Sequence, residues 1–247
     1  MRAGKLQVGA AISFSDPLVT DALGDSVDFF WIDLEHSGMS HEALYSHLLA
    51  ARSRNKPGIV RVPGAGAAFI KPVLDAGADG IIIPMVRSAA EVQSIVDDCR
   101  YPPLGLRGYG PRVPSNYGRD GGSEYVRRAN ETLFVAVMIE TAEALDAIDE
   151  IVCIKGLDSV ALGPMDLSGS LGMLGEVDNP KVVSALERAA GAARKAGLFV
   201  GAGTGINPSF GARLAALGVQ WLQFGGDFGY LIHAFDTLTR DLRRTGR

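Results

Sequence analysis

Eight short apolar runs recur along the chain, and most are followed by a stretch with helical spacing. The runs are VGAAIS (8–13), FFWIDLEH (29–36), GIVRVP (58–63), GIIIPMV (80–86), FVAVMIE (134–140), SVALGP (159–164), FVGAG (199–203) and WLQFGGD (221–227). Strands with one wet face alternate apolar and polar positions. These runs are close to continuously apolar, which suits parallel strands covered by helices. Between them the period changes. Ser88 and Glu91 form a capping-box pattern ahead of Val92, Ile95, Val96 and Cys99, which share one helical face. Leu145, Ile148 and Val152 recur at helical spacing, and Asn207-Pro208 supplies a cap and a first-turn proline ahead of Leu214 and Leu217.

Strand then helix, eight times over, predicts an α/β fold: a closed (β/α)8 TIM barrel forming a single domain over 1–247. An open doubly wound sheet is the rival arrangement. No linker, repeat or low-complexity tract divides the chain. One connection is long: YPPLGLRGYGPRVPSNYGRDGGSEY (101–125), rich in glycine, proline, tyrosine and arginine. A loop of that length in a compact domain is usually functional or part of an interface. Near the end, YLIHAFDTLTRDLRR (230–244) carries an apolar stripe. It suits the last barrel helix and a helix that packs on a neighbouring subunit equally well.

Charge narrows the partners. Lysine plus arginine total 24 and aspartate plus glutamate 28, a formal net charge of −4. No basic excess exists to neutralise phosphates, so nucleic acid is not expected as a partner. Small anionic substrates need only a local positive group. No apolar segment reaches membrane-spanning length and the N-terminus lacks a signal-peptide run, so no membrane association and a cytoplasmic location are expected. Cys99 and Cys153 have no CxxC spacing, and both are expected as buried free thiols.

Candidate chemistry gathers at the strand ends, where the active sites of such barrels lie. The second run ends in Asp33, Glu35 and His36, the third delivers Arg61, the fifth ends in Glu140, and the sixth ends in Gly163-Pro164-Met165-Asp166. Glu140 and Asp166 are 26 residues apart, about one strand-helix unit, which puts both at the mouth. Two hard carboxylates with open positions suit Mg2+ or Mn2+. The spacing alone allows two capping or salt-bridged acids just as well. His36, at a strand tip, is a candidate general base, with Asp75 in the helical segment PVLDAG as the group to orient it; a structural histidine is the bland alternative. Arg61 has the chemistry to hold a carboxylate or a developing oxyanion, or to form an ordinary ion pair with Asp33, Glu35 or Asp75. The glycines closing the seventh and eighth runs suit a phosphate cradle, close approach of substrate to backbone, or tight turns. The six lysines all fall outside the runs and their carboxyl ends. That removes a Schiff-base mechanism and leaves a metal as the available way to stabilise an enolate.

Several longer segments, in order along nearly the whole chain, resemble the HpcH/HpaI aldolase family, the metal-dependent class II pyruvate aldolases. They are WIDLEHSGMS (31–40), VRVPG (60–64), VLDAGADGIIIPMV (73–86), YPPLGLRGYG (101–110), MIETAEAL (138–145) and LGPMDLSGSLG (162–172). The resemblance implies an enzyme that cleaves or forms 4-hydroxy-2-oxo acids through a pyruvate enolate. It implies Glu140 and Asp166 as ligands of a divalent cation (Mg2+, Mn2+ or Co2+), and Arg61 at the pyruvate oxygen. His36 with Asp75 becomes the proton-transfer pair, and Gly163, Pro164 and Met165 the segment against the pyruvate carboxylate. Its partners would be pyruvate or oxaloacetate and an aldehyde or other electrophile. The assembly would be a homotrimer or homohexamer, with the C-terminal helix at about 228–244 packing on a neighbour. The family also includes citrate synthase-like and Diels-Alder-like members, which makes a condensing enzyme that uses an oxaloacetate-derived enolate the alternative. One position departs from the pattern. The best-known aldolases carry glutamine two residues before the metal-binding glutamate, and here that residue is Met138, which cannot donate the corresponding hydrogen bond.

Overall fold

In the computed structural model, which describes residues 1 and 4–245, eight parallel strands close in sequence order, β1 pairing with both β2 and β8. The strands are β1 (Gln7–Ile12), β2 (Phe29–Asp33), β3 (Gly58–Arg61), β4 (Gly80–Ile83), β5 (Phe134–Ile139), β6 (Ser159–Leu162), β7 (Phe199–Thr204) and β8 (Trp221–Gly226). Helices fill the connections: α1 (Leu18–Leu23), α2 (His41–Ser53), α3 (Ala67–Asp75), α4 (Ala89–Cys99), α5 (Gly122–Thr132), α6 (Ala142–Asp146), α7 (Ile148–Ile151), α8 (Pro164–Ser170), α9 (Pro180–Lys195), α10 (Pro208–Ala216) and α11 (Asp227–Thr245). The closed barrel excludes the open sheet. The helix starts follow the sequence signals. Ser88 Oγ accepts from the Glu91 amide at 3.2 Å, and Asn207 Oδ1 accepts from the Phe210 amide at 3.0 Å.

A strand in a closed barrel has two buried faces, and alternate residues divide between them. Phe30, Ile32, Val60, Ile81, Val135, Val137 and Val200 face the helices and join the main core. Phe29, Trp31, Ile59, Ile82, Ala136, Met138, Ala161 and Trp221 fill the barrel interior. Large rings fit there because glycines oppose them. A Cβ on Gly9 would lie 2.5 Å from the Phe29 ring, and one on Gly201 would overlap the Trp221 indole. Trp221 Nε1 donates to Ser159 Oγ at 2.9 Å, so its buried polar atom is satisfied.

At the amino end of the barrel a polar side chain stands just before each even-numbered strand. It accepts from an amide at or next to the start of the preceding odd strand. Asp28 takes Val8, Asp79 takes Gly58, Asp158 takes Val135 and Gln220 takes Val200, at 2.9 to 3.1 Å. These strand-entry amides are thereby paired rather than left unsatisfied. Arg100 reinforces one of them, reaching Asp158 at 2.9 Å.

Cys99 is buried, and burial pushes its thiol up to about 12. Cys153, expected to be buried as well, is exposed. It follows α7, a helix of four residues, and the apolar run ends at Val152, so the chain has already turned outward. α11 buries only Asp227. Phe228, Leu231, Ile232, Phe235, Leu238 and Leu242 all stand exposed along it. No described helix is long and apolar enough to cross a membrane.

Candidate active site

The same alternation that packs the interior sends the next inward residues to the mouth. Asp33 and Arg61 sit opposite each other in the β2–β3 register, one step above Trp31 and Ile59. Arg61 donates to Asp33 through Nε at 3.0 Å and Nη2 at 2.7 Å, and its Nη1 lies 3.0 Å from Glu35 Oε2. Its guanidinium stacks over Trp31, 5.5 Å from the ring centroid. Burial works against the charge of Arg61. The hydrogen bonds and charges of Asp33 and Glu35 outweigh it and hold its pKa above the ordinary guanidinium value. The ion pair that the sequence offered as the alternative reading of Arg61 therefore forms, with Asp33 and Glu35, and it leaves the guanidinium at the mouth. Burial also raises the Glu35 carboxyl.

Glu140 follows β5 directly and is 2% exposed. Its carboxyl is pushed up to about 7. Burial is the main cause, the nearby Asp166 and Glu35 charges add to it, and the Met85 amide and Arg61 act against it. The Met85 N–H donates to Glu140 Oε1 at 2.7 Å. Oε2 lies where a Cβ on Gly163 would come within 2.5 Å, so this position requires glycine. Asp166, in the first turn of α8, lines the same cleft as Glu140 and Met85. Among the described residues neither Glu140 nor Asp166 has a lysine or arginine in ion-pair contact. No group of three or more histidine, cysteine or acidic side chains converges as a complete ligand set among them. A buried carboxylate beside a second one, neither in ion-pair contact with a cationic side chain among the described residues, fits a hard divalent cation that keeps positions for water and substrate.

Asp166 also borders a cavity of about 360 Å3 at the carboxyl ends of the strands. Arg61, Gly163, Pro164 and Met165 line it, with Met138 in its floor and the glycine-rich ends of β7 and β8 on the far side. Among the described residues no lysine lines it.

His36 is exposed at the mouth, its Nε2 3.6 Å from Glu35 Oε2. The expected pairing with Asp75 does not form within the chain. Asp75 is the last residue of α3, which runs back from the mouth, and it accepts from Arg107 Nη2 at 2.8 Å near the amino end of the barrel. The reason is geometric: a helix that follows a strand carries its C-terminal residues away from the strand's carboxyl end. Sequence reading also missed Met85. It is a non-glycine residue in a left-handed conformation, φ 57°, and its side chain gives no one-dimensional sign of that.

Comparisons with known proteins agree with this fold. The family model for HpcH/HpaI aldolase/citrate lyase matches residues 11–234. The chain is 34% identical over 202 residues to a hydroxypyruvate/pyruvate aldolase of Roseovarius nubinhibens, covering 81% of this chain and 79% of that protein. Its structure is similar to that of an HpcH/HpaI aldolase from Desulfitobacterium hafniense, with a TM-score of 0.89 and 29% identity over 98% of this chain and 94% of the other. It is also similar to the citrate synthase SbnG, with a TM-score of 0.88 and 31% identity over 99% of this chain and 96% of that one. A barrel with paired acids and one arginine at its mouth, matched along nearly its whole length, belongs to the HpcH/HpaI aldolase/citrate lyase family.

Proposed function

We propose that this enzyme is a class II aldolase that makes or breaks the bond between C3 of a pyruvate-type 2-oxo acid and an aldehyde carbon. The observation that carries this reading is the placement of Glu140 and Asp166 in one cleft beside Arg61, with no cationic side chain paired to either acid. Glu140 and Asp166 would hold a divalent cation, Mg2+, Mn2+ or Co2+, which supplies Lewis acidity toward a bound 2-oxo acid. Arg61 adds positive potential where negative charge grows on the keto oxygen during enolate formation. The first-turn amides of α8, at Met165 and Asp166, lack intrahelical partners by construction and offer donors to the substrate carboxylate, with Gly163 and Pro164 leaving the backbone accessible. His36 takes the proton from the aldol hydroxyl in cleavage and returns it in condensation, with Glu35 as its acidic neighbour.

The test is retro-aldol cleavage and oxaloacetate decarboxylation, assayed with each metal and after chelation, alongside calorimetric titration of Mn2+ into wild-type and Glu140→Gln protein. Turnover that needs the cation, and cation binding lost in the variant, is expected. Full activity after thorough chelation refutes the metal role.

A condensing enzyme that joins an oxaloacetate-derived enolate to an acyl thioester is the second reading. Met138 in the cavity floor and the likeness to SbnG favour it. Product analysis with aldehydes against acyl-CoA separates the two. The exposed apolar stripe of α11 further supports a homotrimer or homohexamer in which this helix packs on a neighbour, in the cytoplasm, where unpaired cysteines suit the reducing conditions. Light scattering on the intact chain tests the assembly.

A further inference from the structure

The two sides of the cavity differ in chemistry. On the β3 and β6 side Arg61 and Asp166 line the cavity, Arg61 as the one cationic side chain doing so among the described residues. The carboxylates of Asp33 and Glu35 lie against Arg61, Glu140 shares a cleft with Asp166, and Arg87 at the edge of that cleft is taken up by Glu143. Asp33 and Glu35 already engage Arg61. A divalent cation with a bound 2-oxo acid anion would remove one unit of that negative surplus and leave the rest. Any second anion entering the mouth meets repulsion in a partly desolvated site.

The other side, at the ends of β7 and β8, is formed by glycine backbone and Ile206, with Thr204 and Gln223 as its uncharged polar side chains. Ile206 lies flat here because Gly225 and Gly229 have no side chains: a Cβ on either would come within 2.8 or 3.3 Å of it. Gln223 is the one carboxamide lining the cavity among the described residues, and its Nε2 donates to the Thr204 and Gly225 carbonyls, which turns its donor groups away from a ligand. The glycines thus seat the Ile206 side chain as a hydrocarbon wall, and among the described residues no cationic side chain lines that side to hold a phosphate.

Resting on the aldolase reading above, we propose that the β7–β8 wall receives the acceptor, and that the acceptor is an uncharged aldehyde with a hydrocarbon tail, not a phosphorylated or carboxylate-bearing one. In the bond-forming step, C3 of the enolate supplies the electron pair to the aldehyde carbon. The carbonyl π pair moves to the aldehyde oxygen, and that oxygen takes one proton to become the 4-hydroxyl. The tail of the acceptor lies against Ile206 throughout.

The experiment uses intact protein with Mg2+ and pyruvate. Deuterium exchange at the pyruvate methyl group, without aldehyde, reads enolate formation alone. Then kcat/KM is measured for propanal, butanal and pentanal, and for glyceraldehyde against glyceraldehyde 3-phosphate. The expected results are exchange, a gain of about threefold per methylene, and a loss of at least about tenfold on adding the phosphate. Ile206→Lys should raise the phosphorylated-to-unphosphorylated ratio by about tenfold. If that variant does not fold, Ile206→Ser should flatten the gain per methylene. Absent exchange overturns the aldolase reading itself. Exchange with equal or better use of the phosphorylated aldehyde, or a ratio unmoved in a folded Ile206→Lys, overturns the acceptor proposal alone.

Discussion

Met85 holds its backbone N–H on Glu140 Oε1 at 2.7 Å from a left-handed φ of 57°. Such a conformation costs a non-glycine residue about 1 kcal/mol or more. Thr141 closes the same corner, donating to the Val86 carbonyl at 2.9 Å. The corner between β4 and α4 is thus tied to the end of β5, and one oxygen of the buried acid is fixed while the other stays available.

Two substitutions separate the amide from the side chain. Met85→Gly keeps the N–H and relieves the backbone, so Mn2+ affinity should stay within about threefold of wild type. Met85→Pro removes the N–H and cannot adopt positive φ, so affinity should fall by about tenfold or more, the loss expected for one hydrogen bond to a charged group. Isothermal titration checks both. Equal affinities in the two variants would mean that Met85 does not position Glu140.

Arg61 is tested through its fork. Arg61→Lys keeps a charge but cannot hold Asp33 through two parallel bonds. We expect kcat to fall by about a hundredfold or more, the scale of losing an oxyanion donor. Arg61→Met leaves two acids without their counter-charge and should lower folding stability by about 3 kcal/mol. Chemical denaturation and steady-state kinetics measure these separately.

Gly201→Ala should destabilise the barrel by about 1–3 kcal/mol, because its new methyl overlaps the Trp221 indole. Combining it with Trp221→Phe should recover part of that loss by vacating the same space. Strictly additive effects in the double variant would show that the two residues do not share the space.

His47 predicts a pH dependence. Its Nδ1 lies 2.7 Å from Thr20 Oγ1 and its Nε2 2.9 Å from the Phe14 carbonyl, and it is fully buried. Burial lowers its pKa below the ordinary 6.5, with the Phe14 carbonyl and two nearby aspartates acting against the shift. The unfolded chain then binds a proton before the folded one does. Its contribution to stability is present in full above pH 6.5 and is lost as pH falls from there toward the depressed value. His47→Gln should flatten that segment of the stability profile, as read by urea midpoints between pH 5 and 8.

The strands were legible because their periodicity is local. Each continuous apolar run became a strand, and inward-facing residues followed from counting by two once the barrel closed. Glu140 and Asp166 were readable for the same reason: being one unit apart in sequence places them one strand apart in space. Asp75 does not meet His36 within the chain, because a residue's end of the barrel depends on how far along the returning helix it sits. Cys153 was misread because the short α7 stops before it.

The sequence by itself determined the repeat of eight units, the family and the acids and arginine at the mouth, since all of these depend on spacing along one chain. Only the tertiary structure decided which groups meet. It placed the Met85 amide on Glu140, engaged Arg61 with Asp33 and Glu35, sent Asp75 to Arg107 and set Ile206 over Gly225. Those contacts join residues distant in sequence, and their partners are fixed by barrel closure and the packing of side chains in three dimensions, which no local pattern encodes.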